Sequence, residues 1–181
     1  MPNIKPLDPT KADTRTAETL AKVKRKLGVL PNLFTTLANA PAALNGYLQF
    51  GEALAGGRLS AQQRELIAVA VAQQNACGYC LSAHTAIGKG VGVTEEQLNK
   101  ARHGSASNAK DAAILGFAQR VARDRGNVAP SELEALRKLG IDDGLIVEIV
   151  AHVALNVLTN YVNLIAGTEI DFPRVDLSVA A

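Results

Sequence analysis

Residues 60–84 read SAQQRELIAVAVAQQNACGYCLSAH, and this stretch decides the fold. Leu66-Ile67-Ala68-Val69-Ala70-Val71-Ala72 is apolar enough for a buried strand or a buried helix, because periodicity alone does not separate the two. Its flanks do. Ser60-Ala61-Gln62-Gln63 is a capping box, in which the serine oxygen accepts from a backbone N–H and the glutamine reaches back. The run continues through alanine-rich sequence to about Ala76, longer than a strand needs and rich in the best helix former. The sequence therefore predicts a helix starting at Ala61, a break near Asn75 to Gly78, and a second helix with the cysteines in its first turn.

Outward from this stretch the same signals recur. Thr14–Leu27, Asn32–Ala38 and Ala42–Ala55 read as amphipathic helices, and Thr94-Glu95-Glu96-Gln97 is a second capping box. Further helices are expected at Ala109–Arg125, Ser131–Leu139, with Ser131 and Glu134 as a third box, and Asp143–Ala166. Alanine is about one residue in six of 181, aromatics are 4% and tryptophan is absent, which favours close helix-helix packing over a β-sandwich. The fold class is all-α: an N-terminal extended segment (1–12), a single domain (13–173) and a C-terminal tail (174–181).

Nineteen basic residues against 17 acidic ones leave a net charge of +2, too even for the phosphate-neutralising face that nucleic acid requires. Met1 to Thr10 carries three prolines and no apolar core, so it is not read as a secretory signal. The apolar region Leu145 to Ala166 is interrupted by Glu148, His152, Asn156, Asn160 and Asn163, so no membrane span is expected. A cytoplasmic location follows as the expectation.

A weak internal repeat appears when Glu65–Ala72 is laid over Glu148–Leu155. Twelve residues beyond each glutamate, Cys77-Gly78-Tyr79-Cys80 falls opposite Asn160-Tyr161-Val162-Asn163. One copy carries thiols and the other amides, and the second is expected to be structural. His152, Asn156, Asn160 and Asn163 form a polar stripe on an apolar helix. Buried amides need hydrogen-bond partners, so the stripe braces a neighbour or lines a pocket or subunit contact; bracing is the expected role.

Two cysteines three apart in a reducing compartment point to redox or metal chemistry rather than a disulfide framework. At about 100° per residue, Cys77, Cys80 and His84 fall near 0°, 300° and 340° around a helix, one narrow arc. A helix N-terminus worth about 0.3–1 kcal/mol lowers a thiol pKa of about 8.5 by less than one unit, so a reactive thiolate needs further help. If the chain reverses at Asn75 to Gly78, Glu65 and His84 come level across the hairpin. A carboxylate then orients an imidazole that takes the thiol proton directly or through a water. The other reading is a zinc site of Cys77, Cys80 and His84, with Glu65 as a fourth ligand or behind it.

Glu65, Cys77-x-x-Cys80 and His84 on an Ala-rich helical chain resemble the AhpD-like (alkylhydroperoxidase D) branch of the carboxymuconolactone decarboxylase family. Asn32-Leu33-Phe34 and the stretch from Asn160-x-x-Asn163 to Asp171-Phe172-Pro173 resemble its peroxidase-related members. The resemblance implies an all-α fold of two related helical units, assembly into trimers or hexamers, and a cofactor-free thiol peroxidase or disulfide reductase. A hydroperoxide would be its substrate, and an external dithiol or redox protein its reductant. It makes Cys80 the peroxidatic thiol, Cys77 the resolving thiol, and Glu65 and His84 the proton relay. One position departs: AhpD has a histidine before the second cysteine, and here Tyr79, a poor base near neutral pH, is the possible relay. A decarboxylase-type lyase is the alternative that the family offers, and it would leave the thiols without a task.

The glycines of Gly88-Lys89-Gly90-Val91-Gly92 read as a helix end, the cluster Lys22, Lys24, Arg25 and Lys26 as a solvated face, and His103 as a helix-end residue.

Overall fold

The computed structural model describes residues 1–177. The capping signals found in the sequence set the frame of an all-α fold: α1 (Thr14–Leu27), α2 (Asn32–Leu37), α3 (Pro41–Ala55), α4 (Ala61–Gln74), α5 (Gly78–Gly90), α6 (Glu95–Arg102), α7 (Ala109–Arg123), α8 (Pro130–Lys138) and α9 (Asp143–Ala166). Both boxes are closed. Gln63 N donates to Ser60 Oγ at 3.1 Å while Ser60 N donates to Gln63 Oε1 at 3.0 Å, and Thr94 and Gln97 do the same at 3.2 and 2.9 Å.

The expected third box is not there. Pro130 takes the first position of α8, where its missing N–H costs nothing, and Glu132 accepts the Ala129 N–H, so Ser131 lies inside the helix. The expected extended N-terminal segment contains a 3₁₀ turn at Pro9–Lys11. It is pinned along its length by Asn3 N and Ile4 N on Ala166 O and by Leu7 N on Thr35 O. Of the expected tail, Val175 N donates to Ser82 Oγ, and residues 178–181 lie outside the described residues.

α4 is the central helix. Leu66 through Ala72 are all buried, so it packs on every side, against α5, α6, α7 and α9. A helix apolar all round belongs in a core, and each fully buried aliphatic side chain there contributes about 1.5–3 kcal/mol. α9 is long and apolar enough to pass for a membrane span by length and composition. Its polar residues His152, Asn156, Asn160 and Asn163 are buried against neighbouring helices.

α4 ends at Gln74, two residues earlier than the sequence suggested. Ala76 takes a left-handed conformation, φ 53°, which costs a residue with a Cβ about 1–2 kcal/mol. It reverses the chain so that α5 folds back antiparallel along α4. Gly88 lies where α5 meets both α4 and α6: a Cβ there would crowd Leu98 Cδ2 of α6 at 3.0 Å, while Glu65 Cβ of α4, at 3.7 Å, would be in ordinary van der Waals contact.

Candidate active site

The reversal at Ala76 makes Cys77 the N-cap of α5, its Sγ accepting the Cys80 N–H at 3.4 Å. Cys80 lies one turn in. Both thiols are free and buried, 1% and 2% exposed. One turn further, His84 Nδ1 meets Glu65 Oε2 at 2.8 Å across the hairpin. This pair keeps 20% and 18% of its side-chain surface, so solvent reaches the edge of the site where the sulfurs themselves do not.

The two thiols titrate in opposite directions. A hydrogen bond from Cys77 holds Cys80 down at about 7 against the cost of burial, with His84 charge and the amides of Asn163 and Asn160 adding to it. The same hydrogen bond, with burial, pushes Cys77 up. When the pair ionises, the hydrogen bond between the sulfurs favours the charge on Cys80 and the proton on Cys77. Burial works against a charged His84, but Glu65 charge and hydrogen bond, with the Cys80 thiolate, leave its pKa raised.

The amides come from α9. Asn163 Nδ2 donates to Cys80 Sγ at 3.2 Å, and Asn160 Oδ1 accepts from Asn75 Nδ2 at 2.9 Å. The stripe therefore does not only brace: Asn156 bonds back to His152 O and Asn160 holds the hairpin turn, while Asn163 fronts the thiol. His152 is buried, and burial pushes its pKa down.

Tyr79 is 5% exposed. Its hydroxyl accepts the Leu33 N–H at 3.1 Å and bonds Asp171, and burial raises its pKa. Asp171 also accepts the Asn32 N–H at 2.7 Å, and Phe172 stands edge-on to the Tyr79 ring. The phenol thus joins the start of α2 to the segment after α9. The Asn32-Leu33-Phe34 and Asp171-Phe172-Pro173 stretches meet at this clasp.

Tyr47 carried no signal in the sequence. Burial, with the charges of Cys80 and Glu65, pushes its phenol up to about 12. It packs against Phe34, ring centroids 6.1 Å apart. Together with Val23, Leu27 and Leu48 these rings line a cavity of ≈460 Å³ between α1, α2 and α3, within the size range of small-molecule sites. A zinc site would need Cys77, Cys80 and His84 to converge; among the described residues no three His, Cys, Asp or Glu side chains are arranged to hold a metal ion. His103 caps the end of α6 in solvent.

Residues 41–124 match the model of the carboxymuconolactone decarboxylase family. The chain is 31% identical over 94 residues to the alkyl hydroperoxide reductase Rv2159c of Mycobacterium tuberculosis. That stretch is 51% of this chain and 27% of the relative, so the match spans about a quarter of the relative's length. Among solved structures, the alkylhydroperoxidase AhpD core of a peroxidase-related protein from Ralstonia eutropha JMP134 superposes with a TM-score of 0.83. It is 26% identical, with 94% of this chain and 92% of that one covered. A peroxidase-related protein from Silicibacter sp. TM1040 gives 0.80 at 26% identity, covering 92% of each chain.

Proposed function

We propose that the chain, which has the AhpD-like fold and whose residues 41–124 match the model of the carboxymuconolactone decarboxylase family, is a thiol peroxidase. The observation that carries the reading is the Glu65–His84 hydrogen bond one turn from a buried free dithiol, whose two sulfurs are shifted in opposite directions.

Cys80 is the nucleophile and Cys77 the resolving thiol. With Nδ1 held by Glu65, Nε2 of His84 is the nitrogen that takes the Cys80 proton. The thiolate attacks the distal oxygen of a hydroperoxide, an S–O bond forms and the O–O bond breaks. The leaving alkoxide takes the proton back from His84, and Cys80 becomes a sulfenic acid. Cys77 then attacks that sulfur; its proton leaves with the displaced hydroxide as water, and the disulfide closes. An external dithiol, small or carried by a redox protein, restores both thiols by exchange, which suits a reducing compartment such as the cytoplasm. The apolar cavity beside Tyr47 favours an organic hydroperoxide as substrate.

Copies of the chain assemble through α9, toward the trimer or hexamer expected of such a fold. Val147, Val150, Leu158, Tyr161, Leu164 and Ile165 are exposed along it at helical spacing, Val147 by 67% and Ile165 by 66%. An apolar stripe of that length on a surface is characteristic of an interaction face.

The test is the thiol state after one equivalent of cumene hydroperoxide, mapped by mass spectrometry, with stopped-flow consumption by wild type, Cys80→Ser and Cys77→Ser. A Cys77–Cys80 disulfide in wild type, no reaction in Cys80→Ser and a single turnover in Cys77→Ser are expected. Equal consumption by all three overturns the reading.

A further inference from the structure

Two buried amide ends beside Cys80 lack a well-formed hydrogen bond. Among the described residues, Asn163 Oδ1 makes no hydrogen bond and Asn160 Nδ2 none of normal geometry, the Asn160 amide coming only near enough to Cys80 to favour its thiolate, although Asn160 is 0% and Asn163 3% exposed. Leaving such atoms unpaired costs about 1–3 kcal/mol each, and native interiors rarely tolerate it away from functional sites. Neither amide can relieve this by turning over. Asn160 Oδ1 is tied to Asn75 Nδ2 at 2.9 Å, and Asn163 presents its donor end to Cys80 Sγ at 3.2 Å, the only end a thiolate accepts.

What remains is one donor and one acceptor, three residues apart on α9, so on one face of it. A hydroperoxide group offers the complement, one O–H and two acceptor oxygens. Building on the peroxidase reading, we propose that Asn160 and Asn163 form the subsite for the –O–OH group. Asn163 Oδ1 accepts the hydroperoxide's O–H and Asn160 Nδ2 donates to its oxygens. The distal oxygen is thereby held next to Cys80 Sγ, and the same N–H stabilises the negative charge that develops as the O–O bond breaks.

The amides also favour the thiolate, so the test must separate recognition of the peroxide from activation of the sulfur. Asn160→Leu and Asn163→Leu keep the volume and remove the polar ends. For each, two second-order constants are measured against pH and expressed per thiolate: reaction with cumene hydroperoxide, and alkylation by iodoacetamide, which has no peroxide group to bind. The hydroperoxide constant is expected to fall roughly 30-fold, about 2 kcal/mol at 1.4 kcal/mol per tenfold, while alkylation stays within about threefold. Parallel loss of both, or loss of neither, overturns the subsite. Asn160→Ala and Asn163→Ser repeat the measurement should a leucine variant lose its cooperative melt. A wild type that alkylates normally but ignores hydroperoxide refutes the peroxidase reading itself, and the subsite falls with it.

Discussion

Replacing Glu65 by glutamine keeps the shape of the hairpin contact and removes its charge. The His84–Glu65 hydrogen bond is 2.8 Å long and its partners are about four-fifths buried. A charged hydrogen bond of this kind is worth about 1.5–3 kcal/mol, and losing it removes the influences of Glu65 that raise the His84 pKa and leaves burial to lower it. The imidazole is then charged less readily, and Cys80 loses part of the positive charge that helps to hold it near 7. The Cys77 hydrogen bond, the largest influence on that thiol, survives, so the thiol rises by about 1–1.5 units. The thiolate fraction at pH 7 drops from about half to roughly 3–9%, a loss of about five- to fifteen-fold in reaction rate.

The assay is iodoacetamide alkylation of Cys80 from pH 5 to 10, located by mass spectrometry. Cys77 stays protonated and silent because its pKa is raised. The wild-type rate should rise through an inflection near 7 and the Glu65→Gln rate through one above 8. An inflection within about 0.3 unit of wild type would refute the relay. Stability carries an independent sign. A histidine whose folded pKa is raised stabilises fully below its ordinary value of about 6.5 and loses that contribution as pH climbs through the raised one. The gap in melting temperature between wild type and variant should therefore be widest at acid pH and narrow above neutrality.

Tyr79→Phe leaves the buried Leu33 N–H without its acceptor, costing about 2 kcal/mol or roughly 4–8 °C in Tm for a domain of this size; peroxide consumption should stay within about threefold, and a 30-fold loss would make Tyr79 the relay after all. Glu148 accepts both the Arg58 and Leu59 N–H, at 3.0 and 2.8 Å, so Glu148→Ala should lower Tm by a similar amount, and a drop below about 2 °C in a thermal melt would deny it that anchoring role. Val147→Glu with Ile165→Glu should convert the assembly to monomers by light scattering with helicity intact; an unchanged mass would move the interface off α9.

Local chemistry made much of this legible. The Ser60 and Thr94 caps act on backbone groups three residues away, so their spacing in the sequence places the starts of α4 and α6. Glu65 and His84 needed only one further premise, a reversal between two helices of known phase. Two readings compete for the turn at Ser131, and Pro130 with Glu132 closes it two positions earlier, on Ala129. The break between α4 and α5 falls inside the expected Asn75 to Gly78 stretch, but α4 stops two residues short of Ala76, which favours helix intrinsically and here sits at φ 53°. Tyr79, Tyr47 and the amides depend on contacts between segments far apart in the chain. The phenol of Tyr79 meets Leu33, 46 residues away, and Asn163 meets Cys80 across 83. No periodicity records such pairings.

The repeat sharpens what the amides contribute. Laid over one another, the two copies set Asn163 opposite Cys80, and in the fold those two side chains touch. The paired glutamates diverge in the same way: Glu65 holds an imidazole, whereas Glu148 holds backbone. One copy thus supplies the thiols and the imidazole that faces them, and the other supplies amides that do not titrate, together with His152, whose pKa burial lowers. A carboxamide stabilises a thiolate equally at every pH, while His84 helps only when charged. The pH dependence of the Cys80 thiolate is then set by the groups of α4 and α5, with His152 of α9 acting on it only through Glu65. Substitutions at Asn163 should raise the Cys80 inflection without altering the steepness of the curve, and those at Glu65 should change both. A change of steepness in an Asn163 variant would break this division of roles.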